Sequence, residues 1–132
     1  MDKKIIFHLP WIIWGTIIAV LSLLPGDQLP EIKLTWVSID KIVHIIMYSA
    51  LSGFLLIGFD RHNFRSKNKL NLRDIRLYLL LTVSSFLFGL SIEFAQDWLV
   101  TKRYYDITDV VANLIGTIFG LFCFSWMGRK LI

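Results

Sequence analysis

Apolar residues dominate four stretches of the chain, 5–24, 40–59, 77–100 and 107–127, and polar residues gather between them. A helix needs about 20 mainly apolar residues to cross a hydrocarbon layer roughly 30 Å thick, so this pattern predicts four membrane-spanning helices joined by three connections. The second stretch opens with Asp40, Lys41 and His44 before turning apolar, and the third is broken late by Glu93, Gln96 and Asp97. The first follows Lys3 and Lys4 but shows no small-x-small cleavage pattern between Ser22 and Gly26 and no lipobox cysteine, so it reads as a retained span. The expected architecture is all-α: one integral membrane domain over 1–132, folded as a four-helix bundle.

Composition agrees with the pattern. Of the 132 residues 55% are hydrophobic and only 18% are charged. A soluble domain of this size leaves roughly a third of its unfolded surface exposed, which would coat the outside with Leu, Ile and Phe. The net charge of +4 raises the question of nucleic acid, and the position of the cations answers it. Ten of the fourteen lie at Lys3, Lys4, the 60–76 connection, Arg129 and Lys130, all on one side of an even number of spans. The positive-inside rule makes that side the cytoplasm and both termini cytoplasmic, with Lys33, Lys41, Lys102 and Arg103 on the opposite face. Trp36, Trp98, Tyr104 and Tyr105 fall where an outer interfacial belt belongs. The basic connection thus marks topology and weak contact with anionic lipid, and no nucleic-acid partner is expected. The single cysteine, Cys123, excludes an intrachain disulfide, and the chain carries no cofactor or metal-ligand motif.

Set at about 1.5 Å per residue, the polar residues of three helices reach similar depths in the outer half of the membrane. His44 and Tyr48 follow Asp40 at four-residue steps on one face of the second helix. Glu93 and Gln96 share a face of the third; Asp106, Asp109, Asn113, Gly116 and Gly120 step down the fourth. Charged groups facing lipid cost about 2.5 to 3.5 kcal/mol each at a helix centre, so these faces are expected to turn toward one another. The expected result is an outward-facing polar pocket in which His44, Lys41 or Arg103 partly neutralises Glu93 and Asp109. Small and amide residues also glue membrane helices together, and packing is the favoured role for Asn113 and the two glycines. For Asp40, Lys41 and Asp106, near the water boundary, solvated capping is an alternative.

The set Asp40-Lys41-x-x-His44 with Tyr48, Glu93-x-x-Gln96, Arg103, Asp106, Asp109, Asn113, Gly116 and Gly120 resembles the VanZ-like family of small bacterial membrane proteins. The likeness covers most of the chain beyond the first helix. It implies a four-helix protein of the bacterial cytoplasmic membrane, in a family named for a member associated with teicoplanin resistance. Its implied setting is the outer leaflet, where lipid-linked wall precursors and the acyl chain of a lipoglycopeptide meet.

Several functions stay open. The pocket binds an envelope lipid, a lipid-linked precursor or a lipoglycopeptide through Asp40, Lys41, His44, Tyr48, Glu93, Gln96, Arg103, Asp106, Asp109 and Asn113. Alternatively the protein is an intramembrane enzyme acting on a lipid head group, with Glu93 or Asp109 as general acid/base and His44 as partner. A proton- or ion-coupled transporter ranks below both, because no polar chain continues into the inner half. In a purely structural reading the polar groups only specify helix packing.

Overall fold

The computed structural model describes residues 3–25, 33–34, 37–60, 72–100 and 104–130. Its elements are a helical turn α1 (Lys3–Ile6), α2 (Leu9–Ser22), the strands β1 (Lys33–Leu34) and β2 (Val37–Ser38), then α3 (Ile39–Asp60), α4 (Leu72–Leu99) and α5 (Ile107–Lys130). The fold is all-α. The two-residue strands form a small antiparallel ladder, Lys33 opposite Ser38 and Leu34 opposite Val37, at the entrance to α3.

Three helices, α3, α4 and α5, are long and apolar enough to cross a membrane. The first expected span differs. Pro10 has no N–H and its ring crowds the carbonyl of Ile6, so the helix cannot run unbroken from residue 5. It breaks at Phe7 and His8 and resumes as the 14-residue α2, with the Trp11 indole N–H donating to His8 Nδ1 at 3.0 Å. At about 21 Å, α2 is short of the hydrocarbon thickness. Elsewhere the expected bounds shift little, except that α4 begins at Leu72 rather than 77.

The helices alternate in direction. His8 lies against Phe59 and the Trp14 indole donates to the Met47 carbonyl at 2.9 Å, so α2 runs antiparallel to α3. Tyr78 meets Ser125 at 2.8 Å while the other end of α4 reaches the start of α5, so those two are antiparallel. The most extensive interface joins α3 and α5, which run parallel. The inner faces contribute Ile18, Tyr48, Leu51, Leu55, Leu56, Leu81 and Leu121 to one buried cluster. The outer faces stay apolar: Ile46, Leu79, Leu87, Phe94, Phe119 and Phe122 are all exposed. Such a surface suits lipid rather than water.

Close approach of α3 and α5 depends on two glycines. A Cβ on Gly116 would fall 2.9 Å from Ile45 Cα and 3.0 Å from its carbonyl carbon, and one on Gly120 would fall 2.7 Å from Ser49 Cα. Ser49 then bridges the helices, its hydroxyl donating to the Gly116 carbonyl at 2.9 Å. Small residues and such bonds replace the hydrophobic drive that helices lack in lipid. Gly116→Ala or Gly120→Ala should each cost about 1–3 kcal/mol, because backbone must move. Gly53→Ala should cost less, since the nearest atoms to its Cβ belong to the Phe124 side chain rather than to backbone. Denaturant or thermal unfolding of the purified protein in detergent checks this ranking; equal midpoints for all three variants would contradict it.

Candidate functional site

Three helix ends meet at one end of the bundle: the start of α3, the end of α4 and the start of α5. Asp106 fixes the first turn of α5 as its N-cap. Its Oδ1 accepts from the Thr108 N–H at 2.8 Å and the Thr108 hydroxyl at 2.7 Å, satisfying donors that helix geometry leaves free. Its Oδ2 accepts from Lys41 Nζ at 2.7 Å. The Lys41 ammonium, with help from Thr108, holds the Asp106 carboxyl down at about 2, so Asp106 stays ionised far below neutral pH.

Lys41 reaches across from α3 and is shared. Besides Asp106 it hydrogen-bonds Asp109 Oδ1, and it lies 3.8 Å from Asp40 Oδ2. One ammonium thus ties the first turn of α3 to the first turn of α5. Of the neutralising partners expected for Asp109, Lys41 and His44 are among the described residues, and of these two Lys41 makes the hydrogen bond.

His44 sits one turn deeper and is 7% exposed. Its Nδ1 pairs with Asn113 Oδ1 at 2.8 Å, and its Nε2 faces Asp40 Oδ1 at 3.8 Å and Asp109 Oδ2 at 4.0 Å, both beyond hydrogen-bond reach. With the amide oxygen of Asn113 accepting, Nδ1 carries a proton, and Nε2 is the ring nitrogen turned toward the two carboxylates. Asp40, His44 and Asp109 therefore turn three ligand atoms toward one point, all within 4.8 Å of one another.

Glu93 enters from α4. It is 0% exposed, and neither carboxylate oxygen has a hydrogen-bond partner among the described residues. Asp109, His44, Lys41 and the Asp106 backbone N–H act on it electrostatically, which joins the three helices' charged groups into one network. Tyr48 Oη and Asn113 Nδ2 are likewise buried without partners, and both flank Gly89, one turn before Glu93. A Cβ at Gly89 would come within 3.0 Å of Asn113 Nδ2 and 3.1 Å of Tyr48 Oη. Gly89 escapes the sequence reading; the available signal is its place four residues before Glu93 on the same helical face.

The remaining sequence candidates fall differently. Gln96 is buried, and its amide nitrogen donates to the Ser22 carbonyl at 2.7 Å, tying α4 to the end of α2. Arg103, like Trp36, lies outside the described residues. Trp98 and Tyr104 are exposed beside the cluster, while Phe94 and Tyr105 stack at 5.4 Å. Deeper in the bundle is a second feature that the sequence pattern does not reveal. An apolar groove of about 430 Å³ opens between α2 and α4 over α3, lined by Trp11, Gly15, Ala19, Leu51, Ser85 and Phe88. Phe88 packs against Tyr48 at 6.3 Å, so the groove adjoins the polar face.

These features define a multi-pass helical membrane protein with a buried, charged cluster at one end of its bundle. The sequence model of the VanZ/LLP1 family matches residues 4–128, and the chain belongs to that family. Comparison with curated proteins and with solved structures returned no match.

Removing Lys41 leaves Asp109 buried beside other carboxylates. Lys41→Met should therefore destabilise the protein by about 1–3 kcal/mol, the cost of an unpaired buried acceptor. Adding Asp109→Asn should recover part of that loss. Unfolding midpoints of the two single variants and the double variant measure the coupling; strictly additive losses would show that the pair does not interact.

Proposed function

We propose that the protein is a binding or accessory component of the bacterial cytoplasmic membrane whose charged cluster opens to the extracytoplasmic side. There it engages the polar part of an amphipathic envelope ligand, either a lipid-linked wall precursor or a lipoglycopeptide. The orientation rests on the cations: the strongly basic 60–76 connection joins the ends of α3 and α4 remote from the cluster, and the positive-inside rule puts it in the cytoplasm. Contacts of His8 beside Gly58 and of Ser22 with Gln96 set the two ends of α2 level with opposite ends of the bundle. That arrangement supports a crossing by the first segment despite its short helix, and with it cytoplasmic termini.

The observation that carries the proposal is incomplete neutralisation. Among the described residues Asp40, Asp106, Asp109 and Glu93 face one ammonium and one histidine, and the cluster reaches solvent through Asp40, 49% exposed at its side chain, and Asp106. Packing alone would favour a balanced or apolar junction. An excess of acceptors matches the amines and hydroxyls of a peptide or sugar head group. Exposed Trp98 and Tyr104 offer an interfacial rim for its apolar part, and the apolar lining of the groove beside Phe88 suits part of an acyl chain.

Glu93 favours a second reading. A fully buried carboxylate without a hydrogen-bond partner among the described residues, coupled to His44 and Asp109, has the surroundings of a general acid/base for head-group chemistry. Native mass spectrometry of the full chain in nanodiscs, with teicoplanin and a lipid-linked precursor as probes, tests the first reading. Wild type should retain ligand, and Asp40→Ala and Asp109→Asn should weaken retention at least about tenfold, the scale of one lost charge-assisted contact. Retention no greater than by empty nanodiscs contradicts binding. A lipid profile changed by expression of wild type but not of Glu93→Gln would favour the enzyme.

A further inference from the structure

We infer that Asp40, His44 and Asp109 form a binding site for a divalent first-row transition cation, with Mn²⁺ and Zn²⁺ as the matching ions. This departs from the sequence-based expectation of no metal, and it stands apart from the lipid reading because it concerns the ion alone.

The division of oxygen atoms carries the inference. Lys41 uses Asp109 Oδ1 and approaches Asp40 Oδ2 at 3.8 Å. The other oxygen of each carboxylate, Asp40 Oδ1 and Asp109 Oδ2, is the one turned toward His44 Nε2, at 3.8 and 4.0 Å. Asp109 thus holds the lysine with one oxygen, Asp40 turns one toward it at longer range, and each leaves its second oxygen facing His44. Lysine and cation do not compete for the same atoms.

His44 supplies the independent observation. The residue is more than nine-tenths buried, and its Nε2 has no hydrogen-bond partner among the described residues although it faces two anionic oxygens. With Nδ1 paired to Asn113, Nε2 meets the two carboxylates favourably only with a cation between them, either a proton on the ring or a metal ion. The hydrogen bond from Nδ1 to an amide oxygen is also the outer contact by which proteins fix the tautomer and direction of a metal-ligating imidazole. Lys41 performs the matching service for the carboxylates.

Distance and charge agree. Metal bonds of about 2.0–2.1 Å place neighbouring ligand atoms roughly 3.0–3.4 Å apart, so the three atoms need to close by only about half an ångström each. Among the described residues the carboxylates of Asp40, Asp106 and Asp109 face the single ammonium of Lys41, which leaves room for a second cation. One imidazole with two carboxylates selects Mn²⁺ or Zn²⁺ over Ca²⁺ and Mg²⁺, which prefer all-oxygen shells. Three protein ligands at a partly exposed end leave coordination positions open to water or to an oxygen of a bound head group.

The test is titration of the tag-free full chain, in nanodiscs of zwitterionic lipid, with Mn²⁺ followed by electron paramagnetic resonance and with Zn²⁺ followed by calorimetry. The expected result is one ion per chain, bound at least tenfold more tightly than Mg²⁺ or Ca²⁺. His44→Gln and Asp40→Asn should each weaken binding tenfold or more while circular dichroism shows the same helicity. Asp40 lies at the exposed edge, so Asp40→Asn decides the matter should His44→Gln fail to fold. Binding no greater than by empty nanodiscs, or equal binding by wild type and Asp40→Asn, overturns the site.

Discussion

The contact of Lys41 with Asp106 and Asp109 governs this structure because Asp109 is buried at the end of a lipid-facing bundle, where a carboxylate needs a partner inside the protein. An ammonium from α3 and two carboxylates from α5 satisfy one another only if the helices run parallel with their first turns level. That condition fixes the register of the main interface. Gly116 and Gly120 then admit the backbone of Ile45 and Ser49, so the polar end and the glycine seam enforce one arrangement from two directions. With α3 and α5 joined, α4 can deliver Glu93 and Gln96 at the same level, and α2 is drawn in by Gln96 at one end and by the Trp14 bond to Met47 along its length.

The same constraint leaves the charges unevenly paired. Lys41 meets carboxylates on both sides of the junction, while among the described residues Glu93 has no hydrogen-bond partner for either oxygen and Tyr48 and Asn113 each keep one buried polar atom unused. A junction selected only for helix adhesion gains nothing from such atoms, each of which costs free energy when unmade. Stability and site are therefore overlapping but distinct: Lys41, Asp106 and the glycines hold helices together, and the atoms left over face inward at the cluster.

Much of the fold is legible in the sequence because solvent decides it. Runs of apolar residues locate α3, α4 and α5 to within a few residues, and four-residue steps from Asp40 to His44 to Tyr48 identify the inward face of α3. The convergence of Glu93, His44 and Asp109 follows from matching their depths. Other features depend on packing or backbone that side-chain pattern does not encode. Gln96 finds a carbonyl freed where α2 ends, and a carbonyl leaves no mark in a sequence. Pro10 does mark the break at Phe7 and His8, but an apolar count over 5–24 passes across it. The groove at Phe88 and Ser85 is set by the distance between α2 and α4, and Gly89 by a close approach of Tyr48 and Asn113.

The central claim is that a charged cluster built into the α3–α5 junction opens on the extracytoplasmic face. Tyr104 is 82% exposed beside it and outside the membrane helices. In a Cys123→Ser background, Tyr104→Cys in intact cells can be challenged with a membrane-impermeant thiol reagent. Labelling without lysis is the predicted result; labelling only after the cytoplasm is opened would contradict the account.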